Sequence, residues 1–276
     1  MRTLVHIGHI VVFIVLTLIT QVGGIIYVLT LLARPLLAKR ITAKWSLRSL
    51  LFGIFVILYC IVTFAIVPVI AQPFGRVSLP ISETNHVKPL HFFSCLLNRH
   101  YVRPQLKAVM FAAGNQLNEQ CPGSVINYLD AGFPFMNGFP LLPHLSHSDG
   151  KKVDVAFCYI DKATGVATNM APSPIGYGIN EEQLPGEENT TAYCKSCGFK
   201  RYDILTRLVP QYQGDNFKFD AVRTRHLVDI FASQQEVGKL FIEPHLKTRL
   251  KLISPKVRFQ GCHAIRHDDH LHIQLR

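Results

Sequence analysis

The chain has 276 residues, a formal charge of +11 at pH 7, 49% hydrophobic and only 17% charged residues. That balance excludes a disordered or low-complexity protein and disfavours an ordinary soluble cytosolic enzyme. The charge is also unevenly placed: residues 1–72 hold no Asp or Glu and carry +6, while the remainder carries +5 with all 18 acids. The +11 therefore does not describe one basic surface, and a nucleic-acid partner is not expected.

Two long uncharged stretches open the chain, Ile10 to Ala33 and Leu50 to Gln72. At about 1.5 Å per residue each can cross a hydrocarbon core of roughly 30 Å as a helix. The first is too long for the apolar region of a signal peptide, so residues 1–72 read as a two-span transmembrane anchor in contact with the lipid bilayer. Arg34, Lys39, Arg40, Lys44 and Arg48 fill the loop between the spans without an acid. The positive-inside bias makes that loop cytoplasmic, with Trp45 at the interface, and sends both termini to the outer side.

Residues 73–89 contain Pro73, Pro80 and Pro89 and read as a linker, leaving 90–276 as one folded domain. Arg103 to Glu119 has helical spacing with Pro104 in the first turn, and Phe219 to Gln234 reads as a second helix. Ser124 to Leu129, Val153 to Ile160, Lys239 to Glu243 and His270 to Leu275 read as strands. Residues 161–200 have no clear period and form a long loop insertion. The fold class is α+β, a small, mostly antiparallel sheet with flanking helices.

Cys60 falls inside the second span, and the other six cysteines, Cys95, Cys121, Cys158, Cys194, Cys197 and Cys262, lie on the outer side. An even number there favours disulfides, with Cys194-Lys-Ser-Cys197 expected to close locally rather than to form a zinc ribbon. Asn189-Thr190-Thr191 matches a glycosylation sequon, for which chance occurrence is the favoured reading.

Four of the 13 histidines, His263, His267, His270 and His272, crowd the last 14 residues. Alternation in His270-Leu271-His272-Ile273-Gln274-Leu275 puts both imidazoles on one strand face, where one can bind a metal and the other reach a water on it. Upstream, His147 precedes Asp154 by seven residues, and Asp154 interrupts an apolar strand, a costly place for a carboxylate without a partner or a cation. His147, Asp154 and His272 would offer zinc two nitrogens and one oxygen, leaving a fourth position for water. Singly, each is an ordinary loop or strand residue; the joint spacing carries the signal.

These motifs resemble the zinc peptidases that include lysostaphin-type enzymes, D-alanyl-D-alanine metallopeptidases and the hedgehog signalling domain. The likeness is greatest to penicillin-insensitive murein endopeptidases. It rests on His144, on Ser146-His147-Ser148-Asp149-Gly150-Lys151-Lys152-Val153-Asp154 and on His267-Asp268-Asp269-His270-Leu271-His272, about 20 residues in all. The resemblance implies one Zn2+ held by His147, Asp154 and His272, with His270 activating the water and His267 stabilising the oxyanion. His144, Asp268 and Asp269 would be supporting or substrate-contacting residues. It further implies a periplasmic hydrolase for the stem-peptide cross-links of peptidoglycan; the two expected spans would hold it on a bacterial inner membrane, with its domain and both termini in the periplasm. A carboxypeptidase or dipeptidase using the same site, or a non-catalytic zinc-stabilised wall-binding domain, are the alternatives. The family's soluble habit differs from the two spans expected here, which bears on the substrate more than on the metal.

Overall fold

The computed structural model describes residues 2–276. Helices α1 (Arg2–Thr20), α2 (Gly23–Ala38) and α3 (Lys44–Ile61) come first. α3 runs on through a π-helical turn, Val62–Ile66, into α4 (Val67–Ile70). The 27-residue stretch Lys44–Ile70 is, among the described residues, the one helix long and apolar enough to cross a membrane.

The first expected span is not one helix. Gln21 has a positive φ of 67° and the chain reverses there, so α1 and α2 fold back on each other. Local and distant groups fix the reversal: Thr20 Oγ1 accepts from the Gly23 N–H at 2.8 Å, and Gln21 Oε1 accepts from the Phe135 N–H at 3.1 Å. A Cβ on Gly24 would stand 2.0 Å from Thr17 Oγ1 and 2.7 Å from the Phe13 carbonyl, so only glycine permits so close an approach. Val5 and His9 line one groove with Arg34 and Lys44, which puts the start of α1 beside the basic loop. A single first span would have put it at the opposite end.

Residues 73–89, expected as a tether, belong to the folded unit. β1 (Val77–Ser78) pairs with β3 (Tyr101–Val102), β2 (Val87–Pro89) joins the main sheet, and Leu79 is fully buried. Between them lies the short helix α5 (Phe93–Leu96), followed by α6 (Pro104–Gln120), which begins at the expected proline. The remaining elements of the main sheet are β4 (Ile126–Tyr128), β5 (Lys152–Ala156), β9 (Val237–Phe241), β10 (Val257–Arg258) and β11 (His270–Leu275). Its order is β10-β9-β11-β5-β4-β2, antiparallel through the centre with a parallel pair at each edge.

The strand expected over Val153–Ile160 ends at Ala156. It resumes as β6 (Tyr159–Asp161) in a second sheet with β7 (Ala167–Thr168) and β8 (Phe217–Phe219), because Cys158 turns its backbone to Asp220 and Thr224. The 161–200 insertion carries β7 and the short helix α7 (Thr190–Ser196), and α8 (Ile204–Leu208), α9 (Ala221–Ser233) and α10 (Pro244–Arg249) follow.

α6 and α9 pack together over the sheet, and Leu106, Met110, Leu227 and Phe231 meet Val153, Val155, Leu271 and Ile273 in one apolar core. The alternation of β5 and β11 thereby leaves Asp154, His270 and His272 on the other face. The α+β reading holds. The expected local disulfide does not: Cys194 bonds Cys262, 68 residues away. α7 turns Cys194 into the interior and leaves Cys197, at its C-terminal cap, exposed, while Cys95, Cys121 and Cys158 are free thiols.

Candidate metal centre

Antiparallel pairing of β5 with β11 sets His272 directly across from Asp154 and His270 across from Ala156. Directly opposed residues share a face at about 5 Å between Cβ atoms, so the register alone brings the carboxylate and the imidazole together. His272 Nδ1 lies 2.8 Å from Asp154 Oδ1. His147 arrives from the loop before β5, where its Nδ1–H donates to the Ala131 carbonyl at 2.7 Å. That bond leaves Nε2 as a lone pair, 3.1 Å from His272 Nδ1 and 3.3 Å from Asp154 Oδ1.

Three donor atoms thus form a triangle with edges of 2.8, 3.1 and 3.3 Å. Tetrahedral bonds of about 2.0–2.1 Å to nitrogen and oxygen separate neighbouring ligands by roughly 3.3 Å, so the triangle is close to the size of one face of such a site.

His144 completes a second grouping. Its Nδ1 lies 2.9 Å from Asp154 Oδ2, and His144, His147 and Asp154 form a buried group that could hold a metal ion. The two groupings share His147 and Asp154 and differ in the third member. His272 faces the same oxygen as His147, whereas His144 and the Tyr177 hydroxyl, the latter at 2.9 Å, both bond the other oxygen. An imidazole and a phenol on the far oxygen hold the carboxylate in orientation and leave Oδ1 facing His147 and His272.

His270 stands beside this face, its Nε2 3.7 Å from Asp154 Oδ1 and without a hydrogen-bond partner, while Asp269 Oδ1 accepts from its Nδ1–H. Asp269 is fixed in turn by the Gly178 N–H. Asp268 does not reach the imidazoles of His270 or His272; it pairs with Arg266. The His267 ring lies 4.9 Å from that of His270, and the backbone N–H of His267 donates to Glu243 Oε1. Of the other seven residues singled out in the sequence, His144, His147, His270 and His272 face the Asp154 carboxylate, His267 packs against His270 and His272, Asp269 holds His270 from behind, and Asp268 is turned to Arg266.

The electrostatics follow from burial and crowding. Burial raises the Asp154 carboxyl, but His147, His270, His272 and the bond from His144 outweigh it and hold it well below the usual range. Burial lowers His270, yet Asp154 and Asp269 raise it to about 9, while burial prevails at His272 and brings it down to about 4. Burial and the neighbouring His270 and His272 keep His267 neutral. The centre thus combines an ionised carboxylate, neutral imidazoles with available lone pairs and one basic imidazole, a donor set suited to a divalent cation.

Sequence reasoning missed Tyr177. Its ring sits 4.6 Å from that of His144 and 4.9 Å from that of His270, and its oxygen accepts from the Asp130 N–H. The available signal was the flanking pair Gly176 and Gly178, both at positive φ, where a Cβ would collide with Leu129 or with the Leu205 carbonyl. Such glycines mark a backbone pressed onto its neighbours. Phe241, paired with His272 on the neighbouring strand β9, walls the other side.

The chain matches no protein-family model and no curated protein.

Proposed function

We propose that the protein is a membrane-anchored zinc metallopeptidase that hydrolyses peptide cross-links of peptidoglycan. The observation that carries this reading is the donor triangle of His147 Nε2, Asp154 Oδ1 and His272 Nδ1, with the unpartnered His270 Nε2 beside it. A purely structural site needs only ligands; a basic imidazole poised next to them suits proton transfer. The likeness to murein endopeptidases supplies the substrate class.

Zinc held by His147, Asp154 and His272 would polarise a peptide carbonyl and make an attacking water more acidic. Zinc on Asp154 would cancel the main charge that raises His270, so the neutral imidazole would accept the proton of that water at Nε2 and return it to the leaving amine, while Asp269 keeps the ring oriented and stabilises its protonated form. His267, neutral and next to His270, is placed to donate to the developing oxyanion. Tyr177 and His144 hold Asp154 by its second oxygen. A carboxypeptidase would favour a free arginine for the substrate's terminal carboxylate. Arg99, the arginine lining the adjoining cavity, already donates to Asp130 Oδ2 at 2.8 Å and to the Leu142 carbonyl at 2.7 Å, which favours the endopeptidase.

The test is purification of the full chain in detergent, elemental analysis for zinc, and mass spectrometry of digested cross-linked muropeptides. His270→Ala should retain zinc and lose about 10²–10⁴ of the cleavage rate. Absence of bound zinc, or cleavage indifferent to His270→Ala, would refute the assignment.

A further inference from the structure

Beside the metal centre lies a cavity of about 290 Å³ whose two sides belong to different parts of the chain. His144, Tyr177 and Asp130 form the side toward the centre, and His91, Phe93 and Leu97 form the other. His144 is committed to Asp154 through Nδ1, and its Nε2 is buried without a partner, so a polar group of a bound molecule has a site to meet there.

The second side is continuous with the membrane anchor. The Tyr59 hydroxyl donates to the Leu96 carbonyl at 2.6 Å, and Phe64 stacks on Phe92 with ring centroids 5.5 Å apart. At 1.5 Å per residue, Phe64 and Tyr59 lie roughly 9 and 16 Å before the end of the helix at Ile70. The α5 region is therefore not above the end of the candidate span but alongside it. Phe92 and Phe93 are 51% and 63% exposed, and Leu142 and Leu145, on either side of Pro143 and His144, are 56% and 60% exposed. Phe93 lines the cavity, and Phe92, Leu142 and Leu145 are chain neighbours of the lining residues Phe93, Pro143 and His144; exposed apolar side chains grouped in this way mark a membrane or partner surface, and aromatic residues are favoured at the lipid–water boundary.

We propose that this cavity opens onto the outer leaflet, beside the candidate span, and admits a peptide carried on a membrane lipid, with the lipid lying against Phe92, Phe93, Leu142 and Leu145. The inference rests on the peptidase reading for its chemistry and names the form of the substrate: membrane-attached stem peptide in preference to peptide free in water.

The experiment uses the full-length, zinc-loaded protein in vesicles of phosphatidylcholine and phosphatidylglycerol. A cross-linked muropeptide is offered free in solution and, in parallel, coupled to phosphatidylethanolamine in the same vesicles. The lipid-coupled form should be cleaved at least about tenfold faster at equal bulk concentration, and Leu142→Ser with Leu145→Ser should shrink that ratio. Equal rates on both forms, or a ratio untouched by the double variant, overturn the proposal while leaving the peptidase reading intact. Cleavage of neither form removes the peptidase reading and the inference with it. A second measurement is independent of turnover: Phe93→Trp in a Trp45→Phe background should be quenched by brominated lipid and protected from a water-soluble quencher. The reverse pattern overturns the membrane-facing mouth even if cleavage is seen.

Discussion

In α3, Leu50, Phe52 and Ile57 stand exposed along a helix without an acid, whereas in β5 and β11 Asp154, His270 and His272 are buried between neighbouring strands. The two regions invert the usual partition of apolar inside and ionisable outside, and each inversion has its own compensation. Exposed apolar side chains are stable in hydrocarbon, and the helical backbone satisfies its own polar groups there. A buried carboxylate is stable only when cations or hydrogen-bond donors surround it, and Asp154 has four histidines and a tyrosine within reach. The anchor is thus sensitive to its solvent, and the centre to single atoms.

That contrast predicts where substitutions act. The largest effect is expected for Asp154→Ala, which removes one donor and leaves a hole among imidazoles: zinc content should fall to near background and the rate by at least about a thousandfold. A variant retaining full metal would show that the carboxylate is not central.

Next in size is an acid dependence that belongs to the domain but not to the metal. Burial pushes His100 down to about 4 from an ordinary 6.5. Between those values the unfolded chain binds the extra proton, so stability is complete above about 6.5 and falls as the pH drops toward 4. The loss amounts to about 3 kcal/mol. His100→Phe should remove that part of the slope, read as the difference between wild-type and variant denaturation midpoints at pH 7 and pH 5. Parallel curves would refute it.

Tyr177→Phe deletes only the phenol oxygen on Asp154 Oδ2, and metal affinity should weaken about 10- to 100-fold with the fold retained. Metal competition titration measures this, and an unchanged affinity would reduce Tyr177 to a packing residue.

The smallest effect on the centre should come from the anchor. Gly24→Leu forces a side chain into the space of Thr17 and Phe13, so α1 should part from α2, seen as faster proteolysis of α1, while zinc content changes by less than about twofold. Loss of zinc in this variant would show that the two regions are coupled and break the comparison.

The centre was legible because a strand's period of two is rigid: once His270 and His272 share a face, the only missing fact is which strand lies alongside, and Asp154 interrupting its valines marked it. α6 and α9 were legible from spacing and from Pro104. The fold-back at Gln21 was not, because hydropathy is equally satisfied by one span or by two shorter helices, and the decision lies with Phe135, more than 100 residues away, whose N–H reaches Gln21. Tyr177 was hidden for a similar reason: its place depends on how a loop crosses the sheet. The Cys194–Cys262 bond likewise follows from which way α7 faces, a tertiary fact, and β2 was obscured by prolines that an edge strand tolerates.

The absence of slack between residues 73 and 89 has a consequence for reach. A flexible tether would let a catalytic domain sweep a volume above the membrane; here β1 and β2 are built into the domain, and Gln21 and Tyr59 grip it from the helices. On the proposed function the helices would act as a ruler more than as a leash: the metal centre would work at one fixed height, and a bond would be cut only if it is presented there.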